Sequence, residues 1–284
     1  MSHTRRAIPR FLTVLAPVVL ALVAVAPAWA GIHYQAATSQ EGAGRNNADM
    51  KVESWVSGDK ARVEFHESAN PLAKSGTYLI TKDGGKTLYL VNPEDKTYAL
   101  WDMNAMIGVL GGVMNGMGPF LKFEFSDPKV EQLSEEDGGT VVGLPTRHYK
   151  FRTSYSMKMR VLGMGNSADT VTEEDIWATT KLQDPGLAVW LRHDPPKTGN
   201  EHFDKLIAAE AEKKRVSGFP LKTVTTTTST QKRGKQTVTH RTLEVTLLET
   251  KSIPDSTFAI PAGYKETQML PATPPGDKEK SVDR

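Results

Sequence analysis

Met50-Lys51-Val52-Glu53-Ser54-Trp55-Val56, the turn Ser57-Gly58-Asp59 and the run Ala61-Arg62-Val63-Glu64-Phe65 decide the fold. In the second run Ala61, Val63 and Phe65 alternate with Arg62 and Glu64, the period of two that belongs to a strand with one face in water. The pattern repeats downstream. Residues 77–80 lead through Lys82-Asp83-Gly84-Gly85-Lys86 into residues 87–91, and the Asp-Gly-Gly supplies the positive-φ positions of a tight hairpin. Asn92-Pro93-Glu94-Asp95-Lys96 is a further turn and Thr97-Tyr98-Ala99-Leu100-Trp101 a further strand. Residues 31 to 101 therefore read as an antiparallel meander.

The pattern changes at Asp102. From Met103 to Leu121 the chain carries no charge, and Gly108, Gly112 and Gly116 recur at helical spacing. The spacing predicts a helix over 103–118, started by Asp102 or Asn104 and ended by Gly118-Pro119. Each interior glycine costs about 1 kcal/mol relative to alanine, so such a helix depends on packing. Beyond it, 120–125 alternates as a strand, 148–162 and 169–180 read as extended chain, and 185–191 and 200–214 as helices. Gly218-Phe219-Pro220-Leu221-Lys222 echoes Gly143-Leu144-Pro145-Thr146-Arg147 and opens the threonine run 223–230, extended through β-branching. Lys232-Arg233-Gly234-Lys235 turns the chain into a returning strand over 237–249. Residues 269–284 are dominated by Pro, Gly, Asp, Glu and Lys without periodicity and read as a disordered tail. One β-rich domain over 31–268 is expected.

The amino terminus supplies an address. Arg5, Arg6 and Arg10 precede an uncharged apolar run over 11–27, and Ala28-Trp29-Ala30 closes it before Gly31. That order is a secretory signal peptide cleaved after Ala30, with no stable membrane span left afterwards. Pro17 and Pro27 argue against an uncleaved anchor. Thr4-Arg5-Arg6 hints at a twin-arginine signal, although the general secretory route is the default. The chain has no cysteine, which excludes a bacterial lipoprotein, disulfides and thiol chemistry together. The expected location is the periplasm or the exterior. The formal charge of +2 comes from 35 basic and 33 acidic residues; removing the signal's three arginines leaves 32 against 33, a net −1. No basic stripe interleaved with aromatics remains, so nucleic acid is not an expected partner.

Motifs for chemistry are missing: no Gly-x-Ser-x-Gly elbow, no His-Glu-x-x-His, no phosphate or calcium loop. Ser57-Gly58-Asp59-Lys60 matches Ser-x-x-Lys only formally, since it lies in a hairpin turn. Glu135-Glu136-Asp137 and Glu173-Glu174-Asp175 read as solvated loop faces. His33, His66, His148, His193, His202 and His240 are scattered without ligand spacing, so neither metal nor cofactor is expected. Met103-x-x-Met106 and Met114-x-x-Met117, with Met157, Met159 and Met164, have thioether spacing that Cu(I) could use. Methionine filling an adaptable apolar surface is the preferred account.

Three segments carry a resemblance. They are Lys82-Asp83-Gly84-Gly85-Lys86 running into 89–98, Gly143-Leu144-Pro145-Thr146-Arg147-His148-Tyr149, and Ile253-Pro254-Asp255-Ser256-Thr257-Phe258-Ala259-Ile260-Pro261-Ala262-Gly263-Tyr264-Lys265. Together they resemble the exported bacterial domain-of-unknown-function family 4412 and, more distantly, the periplasmic lipoprotein carriers of the Lol system. The resemblance implies an α+β, mainly antiparallel fold: a curved, incomplete β-barrel with helices occluding its concave face around a hydrophobic cavity. The first family brings no activity; the carriers bring lipid or acyl-chain binding. The leading expectation is a non-enzymatic exported protein binding a lipid, acyl chain or other hydrophobic ligand. Its expected contacts are Trp101, Met103, Met106, Leu110, Met114 and Met117, the last five on a lid. The alternative is a module that binds a protein partner in the envelope, through the sheet edge or the region 185–214. A free edge in the threonine-rich hairpin would favour that alternative.

Overall fold

A computed structural model describes residues 30–42, 49–70, 73–102, 121–161, 164–189 and 201–269. Among the described residues the chain forms thirteen strands: β1 (Ala30–Gly42), β2 (Met50–Ser57), β3 (Lys60–Ser68), β4 (Tyr78–Thr81), β5 (Tyr89–Asn92), β6 (Thr97–Leu100), β7 (Leu121–Phe125), β8 (Lys129–Val141), β9 (Leu144–Val161), β10 (Met164–Thr179), β11 (Phe219–Gln231), β12 (Gln236–Ser252) and β13 (Lys265–Thr267). They form a single sheet in the order β13-β6-β5-β4-β3-β2-β1-β12-β11-β10-β9-β7, with β8 also paired to β9. Every pairing is antiparallel except β13 with β6. The sheet is open. Its long-range closure is β1 on β12, where Ala30 lies opposite Ser252 and Gly42 opposite Thr239.

The expected turns are present. Gly58 (φ 60°), Gly84 (φ 70°) and Gly85 (φ 85°) take the left-handed conformations that tight connections require. Register then sorts side chains onto two faces. On one face Ile32, Tyr34, Val56, Ala61, Phe219, Leu221 and Val245 bury together. Val52, Val63, Phe65, Ala73 and Leu79 continue that face toward Trp101, and Tyr149, Phe151, Ile176 and Ala178 extend it in the other direction. Full burial of such a side chain contributes about 1.5–3 kcal/mol. On the opposite face Tyr78, Ile80 and Val91 pack with Ile260 and Tyr264, which ties the C-terminal segment down.

Among the described residues, a 3-10 turn, Pro185–Val189, and one helix, α1 (Glu201–Lys213), lie beside the first of these faces. Leu187 enters the Tyr34 cluster, and α1 packs near β7 and β8 with Leu206 buried. The expected helix over 185–191 is thus a 3-10 turn as far as it is described. Helices closing over a concave face go beyond what these elements establish. The expected lid over 103–118 lies outside the described residues, as do the expected signal peptide 1–30 up to residue 29 and the expected tail 269–284 from residue 270.

Two expectations are corrected. Glu135-Glu136-Asp137 lies in strand β8, not in a loop: Glu135 pairs with Arg147 at 3.1 Å and Glu136 meets the His148 ring at 3.2 Å, so cross-strand partners outweigh low strand propensity. Glu173-Glu174-Asp175 likewise lies within β10. The threonine-rich hairpin has no free edge, because β11 is held between β10 and β12, and β12 between β11 and β1.

Candidate functional site

The first face is not filled evenly. Tyr34, Ala36 and Thr38 are spaced two apart on β1 and so point the same way. Met50 and Val52 join them from β2, Leu243 and Val245 from β12, and Phe219, Pro220 and Thr223 from β11, around a cavity of about 230 Å³. The cause is local. The two inward side chains that follow the bulky Tyr34 on β1, Ala36 and Thr38, are small, and β1 slips register against β12 between Gln35 and Ala36. Phe219 stands edge-on to Tyr34, with ring centroids 5.8 Å apart, and makes one wall. No lining residue is ionisable at neutral pH, and the only polar side-chain groups among them are the hydroxyls of Tyr34, Thr38 and Thr223. Such a surface offers neither a nucleophile–base pair nor a charged ligand set, and it favours apolar groups.

Of the residues singled out from sequence, Trp101 is described. It is half-buried on the same face, packs against the Val52–Phe65 cluster beside Ala36 and Met50, and donates its backbone N–H to the Leu88 carbonyl at 2.8 Å. It does not line the cavity. Met103, Met106, Leu110, Met114 and Met117 lie outside the described residues. The lining residues were missed because each reads locally as ordinary strand. The available signal was the pair of small inward positions, Ala36 and Thr38, in an otherwise bulky row.

Histidines gather on the opposite face. His33 bridges Glu53 (Nε2–Oε1 2.6 Å) and Glu249 (Nδ1–Oε2 3.3 Å), so one ring links β2, β1 and β12. His66 reaches the other oxygen of Glu53 at 2.9 Å. His148 repeats the arrangement between Asp175 (2.8 Å) and Glu136 (3.2 Å) across β10, β9 and β8. Both bridging histidines have a tryptophan beside them: Trp177 stacks on His148 with ring centroids 4.4 Å apart, and Trp55 lies 5.4 Å from His33. Burial works against the Glu53 carboxylate, but hydrogen bonds from His33 and His66 outweigh it and hold its pKa below the ordinary value. Lys214, after α1, sits between Glu174 (3.0 Å) and Glu210 (3.2 Å). Burial disfavours its charge, yet the two carboxylates raise its pKa overall. These are structural clasps: their carboxylates already accept hydrogen bonds, and no group of three or more His, Asp or Glu among the described residues could hold a metal ion.

The fold and cavity thus describe an open antiparallel sheet with an uncharged apolar site. Residues 164–264, from β10 to the C-terminal segment, match the family described as domain of unknown function (DUF4412), in agreement with the resemblance read from the sequence. No curated protein matches the chain. Among solved structures, a LolA superfamily protein from Nitrosomonas europaea overlaps 81% of this chain and 90% of its own, at 11% identity and a TM-score of 0.29. A score that low transfers neither fold nor ligand. No helix among the described residues is long and apolar enough to cross a membrane.

Proposed function

We propose that this is a non-enzymatic, exported protein that binds an alkyl chain or a comparable hydrophobic group on the inner face of a curved half-barrel. The observation that carries the reading is the cavity of about 230 Å³ whose lining holds no charged side chain. That volume suits a segment of an acyl chain better than an entire lipid. Burying about six methylenes supplies roughly 5 kcal/mol before ordering costs, at about 0.8 kcal/mol each. Trp101 packs against the Val52–Phe65 cluster on the same face, and the uncharged stretch that follows it brings Met103, Met106, Leu110, Met114 and Met117 into the proposal as further apolar contacts. Export rests on the order of basic, apolar and small residues over the first thirty positions, and cleavage after Ala30 would leave β1 intact from Gly31 onward. The interior placement of the threonine-rich hairpin leaves it without the free edge that would have favoured a protein partner there.

The test is native mass spectrometry of the exported protein, purified without detergent, with organic extraction of the same sample. A co-purifying or added alkyl ligand should bind, and Ala36→Trp, which fills the cavity, should abolish its uptake. A folded protein that takes up no fatty acid or phospholipid refutes the reading.

A further inference from the structure

The charges of the long strands are not distributed evenly. In the middle of the sheet cations meet carboxylates across strands: Arg147 with Glu135, Lys150 with Asp175, Arg152 with Glu173 and Lys222 with Glu244. Toward one end this pairing stops. Lys158 and Arg160 near the end of β9, and Lys232, Arg233 and Lys235 in the β11–β12 turn, are exposed, and none has a carboxylate within 4.0 Å among the described residues. The two groups are neighbours. Ser167 of β10 lies opposite Lys158, and the Lys232 backbone N–H donates to the Ser167 carbonyl at 3.1 Å. Two carboxylates are close in the fold without cancelling the cluster: Glu124 stands opposite Lys158 in register, and Asp169 accepts the Ser156 hydroxyl at 2.5 Å.

We propose that the adjoining tips of the β9–β10 and β11–β12 hairpins, through Lys158, Arg160, Lys232, Arg233 and Lys235, dock the protein on an anionic phospholipid surface. Five unpaired cations on a nearly neutral chain are a local field, and side-by-side like charges cost stability unless an anion offsets them. Clusters of four to eight basic residues are the size that anionic headgroups attract. The stretches 157–168 and 231–236 contain no Phe, Tyr or Trp. They therefore lack the stacking surface that single-stranded nucleic acid uses and the aromatic anchors that concentrate protein–protein affinity. A headgroup lattice needs neither. The docking goes beyond the ligand reading and stands with the cavity empty or full.

The test is co-sedimentation of the exported protein with vesicles of phosphatidylcholine alone or mixed with phosphatidylglycerol. Binding is expected to the mixed vesicles only, and to fall steeply as salt is added. Each cation near the surface is worth about fivefold in affinity. The triple variant Lys232→Glu, Arg233→Glu, Lys235→Glu should therefore bind on the order of a hundredfold more weakly, or worse. The pair Lys158→Glu, Arg160→Glu should add to the loss. Lys82→Glu with Lys86→Glu, exposed in the β4–β5 connection, should leave binding unchanged. Ala36→Trp should also leave it unchanged, which separates this test from that of the cavity. Equal binding to neutral vesicles, binding unaffected by the triple variant, no vesicle binding, or retention on nucleic acid or an acidic protein but not on vesicles each overturns the proposal.

Discussion

Replacing Ala36 with leucine distinguishes a ligand cavity from a tightly filled core. Ala36 is half-buried, lines the cavity with Thr38 and Val52, and sits at the point where β1 slips against β12. Leucine adds three carbons. At about 0.8 kcal/mol per buried methylene their transfer is worth up to about 2.4 kcal/mol. Rotamer ordering removes about 0.5–1 kcal/mol, and incomplete burial some of the rest. The net gain is about 1–1.5 kcal/mol, a rise in melting temperature of about 2–5 °C for a chain of this size. The same side chain occupies the space a ligand would use, so displacement of a fluorescent fatty-acid probe should show weaker binding. Stability and affinity thus move in opposite directions. Calorimetry and the probe titration on one sample read both. A fall in melting temperature of similar size, the signature of overpacking, together with unchanged probe binding, would refute the reasoning.

Lys214→Met removes the ammonium between Glu174 and Glu210, leaving Glu174, with a side chain 20% exposed, without its cation. A loss of about 3 kcal/mol in urea unfolding is expected. Because the folded pKa of Lys214 is raised, its contribution is full below the ordinary lysine value and disappears as pH rises through the folded value. The alkaline decline of wild-type stability should therefore be shallower in the variant. Glu53 has the opposite sign: its lowered pKa contributes stability above the ordinary glutamate value, and that contribution is lost as pH falls through the folded value. Glu53→Gln should cost about 1–3 kcal/mol at neutral pH and flatten the acid limb of a pH–stability curve. Gly218→Ala should lose about 3 kcal/mol or more in the same assay. Gly218 has φ +98°, and its added Cβ would meet the Thr179 carbonyl oxygen at 2.2 Å.

Much of the sheet is legible in the chain because strand periodicity is a local property. Val52, Ser54 and Val56 announce their shared buried face, and Ala61, Val63 and Phe65 theirs, before any partner strand is known. The turns at Gly58 and Gly84-Gly85 follow from the backbone freedom of glycine. Strand β8 was not legible, since Glu135-Glu136-Asp137 gives no apolar alternation. Its strand state depends on Arg147 and His148, which lie on the next strand. The histidine clasps are less legible still: His33 and Glu249 are 216 residues apart and meet only because β1 closes on β12.

The sequence by itself determined the antiparallel class, most strand positions, the helix beginning near residue 200 and the DUF4412 resemblance, all of which rest on short-range spacing or motif chemistry. Tertiary structure alone decided which strands are neighbours and in what register. It thereby placed Ala36 and Thr38 beside Leu243 and Val245 around an empty volume, and left the cations of two distant turns side by side. The reason is physical: a side chain's face is set by its own strand, but the space in front of it is set by strands that the chain reaches two hundred residues later.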